Sequence, residues 1–160
     1  MAFAPADALE IAVLGYLAAV YGRVSVERLL SGTGLVNIYQ ALSAVQGRDV
    51  PTISPAAITS EALESEDSFA EQVLQLFCRI LGSVAGDIAL TAGATGGVYI
   101  AGGIVPRFPG FLEGSGFRER FEAKGRLGSY LQAIPVRVIQ RQDLGLIGSA
   151  CHLSVNIGHP

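Results

Sequence analysis

Charge is scarce in this chain. Only 16% of its 160 residues are Asp, Glu, Lys or Arg, and the formal net charge is −3. Half of the residues are hydrophobic. Such a balance supplies an apolar core and excludes disorder. The negative sign speaks against a nucleic-acid partner, because displacing counterions from a phosphate backbone takes a basic face. Nucleotides are not excluded, since they arrive with their own magnesium. The length fits one domain, which buries roughly two-thirds of its unfolded surface.

Other absences narrow the chemistry. There are two cysteines, Cys78 and Cys151, far apart and each in an apolar helical pattern. Buried reduced thiols are expected, as in a cytosolic protein, rather than a disulfide. No CxxC or His/Cys spacing suggests a metal site. His152 and His159 form no cluster with a nucleophile. No positively charged leader opens the chain, and the apolar run 11–20, interrupted by Gly15 and Tyr16, is too short to cross a bilayer. Ser31-Gly32-Thr33-Gly34 lacks the following lysine of a P-loop. Ser31 and Ser149 lack the strand-flanked nucleophile elbow. Asp7, Asp49, Asp67, Asp87 and Asp143 lie in no catalytic motif, so none stands out as a general base.

Glycine, by contrast, is abundant at 20 residues, often in pairs. The most informative stretch is Gly96-Gly97-Val98-Tyr99-Ile100-Ala101-Gly102-Gly103-Ile104. Its centre has strand propensity, and Gly102 and Gly103 follow where that strand ends. A glycine pair there permits a sharp turn and close approach of another molecule. In open α/β sheets, ligands bind beyond the carboxyl ends of strands. The pair therefore suits a flat group such as a nucleotide base. The plainer alternative is a core strand closing in an ordinary turn.

The first half reads as helices. Pro5 can open a helix that runs to Tyr21 and closes at Gly22. Ser25 can cap a short helix over 26–30. The cluster 31–34 then breaks the chain, and a helix resumes over 35–45. Residues 47–55 form a loop, and 59–64 a short helix. Ser68-Phe69-Ala70-Glu71 has the form of a capping box. Phe69, Val73, Leu76, Phe77, Ile80 and Val84 recur at three- and four-residue steps, so one face of a long helix to Leu90 is core. The second half mixes types. Strands are expected at 98–101 and 135–139, an irregular stretch at 106–116 and a helix at 117–124. A last helix opens at Gly145, with small residues that permit close packing. Two strands are too few for a self-sufficient sheet, so partner strands are expected from elsewhere.

Glu27 stands near the start of the short second helix, just before the glycine cluster. A carboxylate there can simply favour the helix dipole, by about 0.3–1 kcal/mol. It can also accept hydrogen bonds from sugar hydroxyls. Gly32 and Gly34 read as a helix-to-helix turn or as a backbone surface beside a nucleotide.

At these residues a family resemblance becomes specific. The run Val24-Ser25-Val26-Glu27-Arg28-Leu29-Leu30-Ser31-Gly32-Thr33-Gly34-Leu35-Val36-Asn37-Ile38-Tyr39 resembles the central segment of bacterial glucokinases. So does the glycine-flanked strand through Val105-Pro106-Arg107-Phe108. Ser115-Gly116-Phe117-Arg118, Phe121-Glu122-Ala123-Lys124-Gly125-Arg126, Ile134-Pro135-Val136 and Gly145-Leu146-Ile147-Gly148-Ser149-Ala150 follow in order, so the likeness covers nearly the whole chain.

The resemblance implies an α/β fold: a lobe of the actin-like (ribonuclease H-like) sugar kinases, helix-rich and with an incomplete sheet. It implies ATP-dependent phosphorylation of glucose to glucose 6-phosphate, with Mg2+ bound to the ATP, in a cytoplasmic homodimer. Glu27 matches the family's glucose-contacting glutamate in its Val-Ser-x-Glu-Arg motif. Gly102 and Gly103 match the glycine pair of the adenosine motif. Gly32 and Gly34 match a glycine turn close to the nucleotide, although Thr33 stands where many relatives have proline. The 145–150 stretch matches the start of a helix linking the two lobes. The family's Asp-Gly-Gly-Thr phosphate loop does not occur here, nor does its Asn-Asp pair with the catalytic base. Its Glu-Gly-Gly-His motif normally precedes the Phe-Ala-Pro element, which here is Phe3-Ala4-Pro5. The resemblance thus implies that residues 1–160 are the C-terminal, large-lobe part of a glucokinase, opened at an internal methionine and inactive alone. The alternatives are a non-catalytic sugar- or nucleotide-sensing module and a dimerisation domain.

Overall fold

The structure, a computed structural model, describes residues 1–141 and 143–157, with side chains through Ser154. His159 lies outside the described residues.

The first helix, α1, spans Ala8–Tyr21. Its cap is Asp7, whose carboxylate accepts the Glu10 amide at 2.9 Å. Pro5, expected to open it, lies two residues outside the cap. An aspartate satisfies an amide left open at the helix start; proline only avoids adding one. Gly22, at φ 70°, closes the helix as expected. Residues 1–3 return alongside the chain after it. Phe3 N–H donates to Val24 at 3.1 Å, and Val26 N–H to Met1 at 3.1 Å. A single 3-10 turn, Val26–Arg28, replaces the helix expected over 26–30.

The second helix, α2, spans Gly32–Gln46 and corrects the reading of 31–34 as a break. Ser31 is its N-cap and accepts the Gly34 amide at 3.0 Å. The two glycines therefore sit in the first helical turn, where propensity disfavours them. Gly34 has a steric reason: a Cβ there would stand 2.2 Å from the Leu29 carbonyl oxygen. The next helix, α3 at Pro55–Glu64, starts four residues earlier than expected because Ser54 caps it and Pro55 fits its first position.

The longest helix, α4, spans Phe69–Ala92. Ser68 accepts the Glu71 amide at 3.0 Å, as a capping box requires. Glu71 reaches one residue further back, to the Asp67 amide at 2.6 Å, rather than to Ser68. Val73, Leu76, Phe77 and Ile80 are buried as their spacing predicts, while Phe69 and Val84 are half-buried against the core. Each of the large apolar side chains, fully buried, contributes roughly 1.5–3 kcal/mol. By length and composition α4 is long and apolar enough to cross a membrane, but it packs here against α2, α3 and the later helix α6.

After α4 come β1 (Val98–Ile100), α5 (Pro109–Gly114), α6 (Phe117–Glu122), α7 (Gly128–Gln132) and β2 (Val136–Val138). The strands pair in parallel, Tyr99 opposite Arg137. Among the described residues they form the whole sheet. Part of the stretch 106–116, expected to be irregular, is helix α5, with Pro109 at its first turn. α6 lies directly on α4 at Gly82 and Gly86. A Cβ on Gly82 would stand 2.2 Å from the Phe117 carbonyl oxygen, and one on Gly86 2.5 Å from that of Phe121.

The final helix, α8, spans Leu144–Ile157. From Gly148 to Ser154 every side chain on it is exposed, Leu153 by 58%. Cys151 is among them, contrary to the expectation that both thiols are buried. Cys78 is buried, and burial pushes its thiol up to about 12, against a weaker opposing hydrogen bond from Ser115. Such a thiol stays protonated and inert.

Candidate functional site

Three features carry the sequence-derived residues: the Val26–Arg28 turn, the start of α2, and the end of β1. The turn projects Glu27 into solvent. Around it, Ser25, Arg28, Ser31 and Thr33 line a shallow, polar depression of 210 Å³. The helix-dipole reading of Glu27 weakens here, because one 3-10 turn has few peptide dipoles to align. What the turn does is hold a carboxylate beside hydroxyl groups, an arrangement suited to a polyhydroxylated ligand. Ser31 and Thr33 hydroxyls stand 3.1 Å apart.

The chain leaves β1 through Ala101 and Gly102, whose φ of 121° is a conformation that side chains rarely adopt. A Cβ on Gly102 or Gly103 would meet nothing within 4 Å, so both face open space. Two adjoining clefts share Gly103. One, of 460 Å³, is lined by Ala101, Gly102, Gly103, Arg107, Arg141, Leu144 and Gly145. The other, of 220 Å³, includes Gly32, Leu35, Pro55, Thr59, Gly103 and Arg107.

The structure thus brings Gly32 and Gly103 to one cleft, and Gly102, Gly103 and Gly145 to its neighbour. Gly34 is not in either lining; its missing side chain makes room for Leu29. Glu27 lies in the separate depression. The start of α2 joins them, with Ser31 and Thr33 on the Glu27 side and Gly32 on the Gly103 side.

Arg107 and Arg141 were not singled out from sequence. Arg107 follows the glycine pair closely, and a short 3-10 turn at Val105–Arg107 folds it back to both clefts. Arg141 donates to Asp143 through Nε at 3.0 Å and Nη2 at 2.9 Å. That hydrogen bonding raises the Arg141 pKa and holds Asp143 below the ordinary aspartate value. Two guanidiniums beside a glycine-floored cleft favour an anionic ligand. The linings of these two clefts contain no carboxylate, and no group of three His, Cys, Asp or Glu residues able to hold a metal occurs among the described residues. The linings of these clefts therefore offer no cage for a magnesium ion.

These elements define a helix-rich α/β chain with clefts at the carboxyl end of a parallel strand. The glucokinase family model matches residues 1–156. The chain is 49% identical to a glucokinase of Chromobacterium violaceum over 95% of its own length and 44% of that protein's. It is 48% identical to a glucokinase of Cronobacter sakazakii, over 98% of its length and 49% of the relative's. The crystal structure of a glucokinase from an Antarctic psychrotroph superposes with a TM-score of 0.89 at 36% identity, covering 96% of this chain and 48% of that one. The chain belongs to the glucokinase family. It spans about half the length of the relatives it matches.

Proposed function

We propose that this chain acts within a full-length glucokinase, phosphorylating glucose to glucose 6-phosphate with ATP. The observation that supports this most is the likeness to glucokinases along nearly the whole chain, the Glu27 turn and the β1 glycine pair included. In this reading residues 1–160 are the C-terminal, large-lobe portion of an actin-like sugar kinase. The edge of β1 away from β2 and the exposed residues 148–154 of α8 are then covered by the rest of the polypeptide. Glu27 accepts hydrogen bonds from glucose hydroxyls and orients the sugar. Gly102 and Gly103 lie under the adenosine, with Gly32 beside it at the start of α2, where Gly34 lets the helix sit against Leu29. Arg107 and Arg141 add positive charge on the phosphate side. Mg2+ would be held by the ATP phosphates and would supply positive charge there, since the cleft linings offer it no carboxylate. The enzyme is a cytoplasmic homodimer in this reading.

Two substitutions separate the roles. Gly103→Val in the full-length polypeptide is expected to raise the KM for ATP about tenfold or more and leave that for glucose little changed, since the branch fills space the nucleotide needs. Equal effects on both substrates would mean misfolding instead. Glu27→Gln keeps the shape and removes the charge. It is expected to lower kcat/KM for glucose by about 1.5–3 kcal/mol, the worth of a hydrogen bond to a charged group, with thermal stability unchanged. Unchanged glucose kinetics with reduced stability would return Glu27 to a purely structural role.

A further inference from the structure

The turn bearing Glu27 is too short to hold itself. A single 3-10 turn of three residues ends with carbonyls that have no following turn to accept from. The Arg28 carbonyl is one of these, and a side chain answers it. Asn37, on α2, donates from Nδ2 to Arg28 O at 2.7 Å. Asn37 is buried inside a helix, a place where asparagine has poor propensity, so its contacts are the reason to look for a role.

The same side chain is fixed at its other end. Tyr21 Oη, from the last residue of α1, donates to Asn37 Oδ1 at 2.9 Å. A carbonyl oxygen can only accept, so the amide orientation is determined: NH2 toward Arg28 O, oxygen toward the tyrosine hydroxyl. The Arg28 guanidinium lies over the Tyr21 ring, 4.2 Å from its centroid. Tyr21, Asn37 and Arg28 thereby close a ring of contacts that includes Arg28, the residue that follows Glu27. On the other side of the turn, residues 1–3 pair with 24–26.

We infer that Asn37 is a positioning residue for Glu27: its amide, oriented by Tyr21, fixes the turn that aims the Glu27 carboxylate at the sugar. The inference rests on Glu27 contacting glucose. A carboxylate on a turn that wanders by an ångström loses much of its value as an orienting group. Neither Asn37 nor Tyr21 touches the substrate in this account.

The test uses a full-length glucokinase polypeptide carrying this chain, with KM and kcat measured for glucose and for ATP. Asn37→Asp keeps the shape but sets a carboxylate oxygen against the Arg28 carbonyl. It is expected to raise the KM for glucose about tenfold and leave the KM for ATP within about twofold. Tyr21→Phe, which keeps the Asn37 donor, is expected to raise the glucose KM by about two- to threefold. In a Glu27→Gln background, Asn37→Asp should add less than about twofold, because both changes remove one interaction. Parallel shifts in both KM values, an unchanged glucose KM, or full additivity with Glu27→Gln would overturn the inference. If Asn37→Asp does not fold, Tyr21→Phe decides: a selective glucose effect supports the inference, and an equal or absent one overturns it. Should Glu27→Gln leave glucose kinetics untouched, the sugar-contact reading itself fails and the inference falls with it.

Discussion

Assayed alone with glucose, ATP and magnesium, the 160-residue chain is expected to show no turnover. Phosphoryl transfer depends almost entirely on positioning and electrostatic stabilisation, with a base to orient the attacking hydroxyl. In the depression and clefts described here the one carboxylate is Glu27, placed to accept from hydroxyls, and no phosphate-binding loop of the Walker or Asp-Gly-Gly-Thr type occurs in the sequence. The lost contributions act together, so removing them is expected to take the rate below detection rather than lower it modestly. A coupled assay on the purified chain checks this. Turnover within tenfold of ordinary kinases, roughly 1–100 s⁻¹, would contradict it.

The second large effect concerns stability. Glu10 is fully buried, and its Oε1 accepts from Arg120 Nη2 at 2.7 Å. Arg120 also donates to Asp7 at 3.2 Å and to Ser83 at 3.1 Å, tying the start of α1 to α6 and α4. Arg79 reaches the same Asp7 oxygen at 2.6 Å. Arg120→Met leaves a buried carboxylate without its cation, which is expected to lower unfolding free energy by about 3–5 kcal/mol. Adding Glu10→Met should recover part of that loss, since two apolar side chains need no partner. Denaturant unfolding of the three proteins tests this; a single variant as stable as wild type would show the network to be dispensable. Burial raises the Asp7 pKa, but the Glu10 amide and the Arg79 and Arg120 guanidiniums outweigh it and hold it below the ordinary 3.8. Its contribution is thus in place above that value and is lost as pH falls through the lowered folded pKa.

The sequence revealed what is local. The apolar stripe of α4, the Ser68 cap, the Gly22 stop and both strands follow from spacing and propensity within a few residues. The errors lie where a distant partner decides. Gly32 and Gly34 look like a break until α2 is seen to start at Ser31 and Leu29 to occupy the room that Gly34 leaves. Gly82 and Gly86 look idle inside a helix until α6 crosses them. Glu10 and Arg120 are 110 positions apart, and no periodicity links them. Among the residues lining the depression and clefts, Glu27 and the Gly102-Gly103 pair are singled out by motif and strand end. Arg107 and Arg141 are not, because only the fold brings 3-10 turn, strand end and α8 together at one cleft.

The central claim, that one chain presents a sugar contact at Glu27 and a nucleotide floor at Gly102-Gly103, has a direct test. It is a crystal structure of a full-length glucokinase carrying this chain, bound to glucose and a non-hydrolysable ATP analogue. The account predicts a glucose hydroxyl within hydrogen-bond distance of the Glu27 carboxylate and the adenosine lying against Gly102 and Gly103, on opposite sides of the α2 N-terminus. Glucose bound away from Glu27, or the nucleotide seated elsewhere than the β1 end, would contradict it.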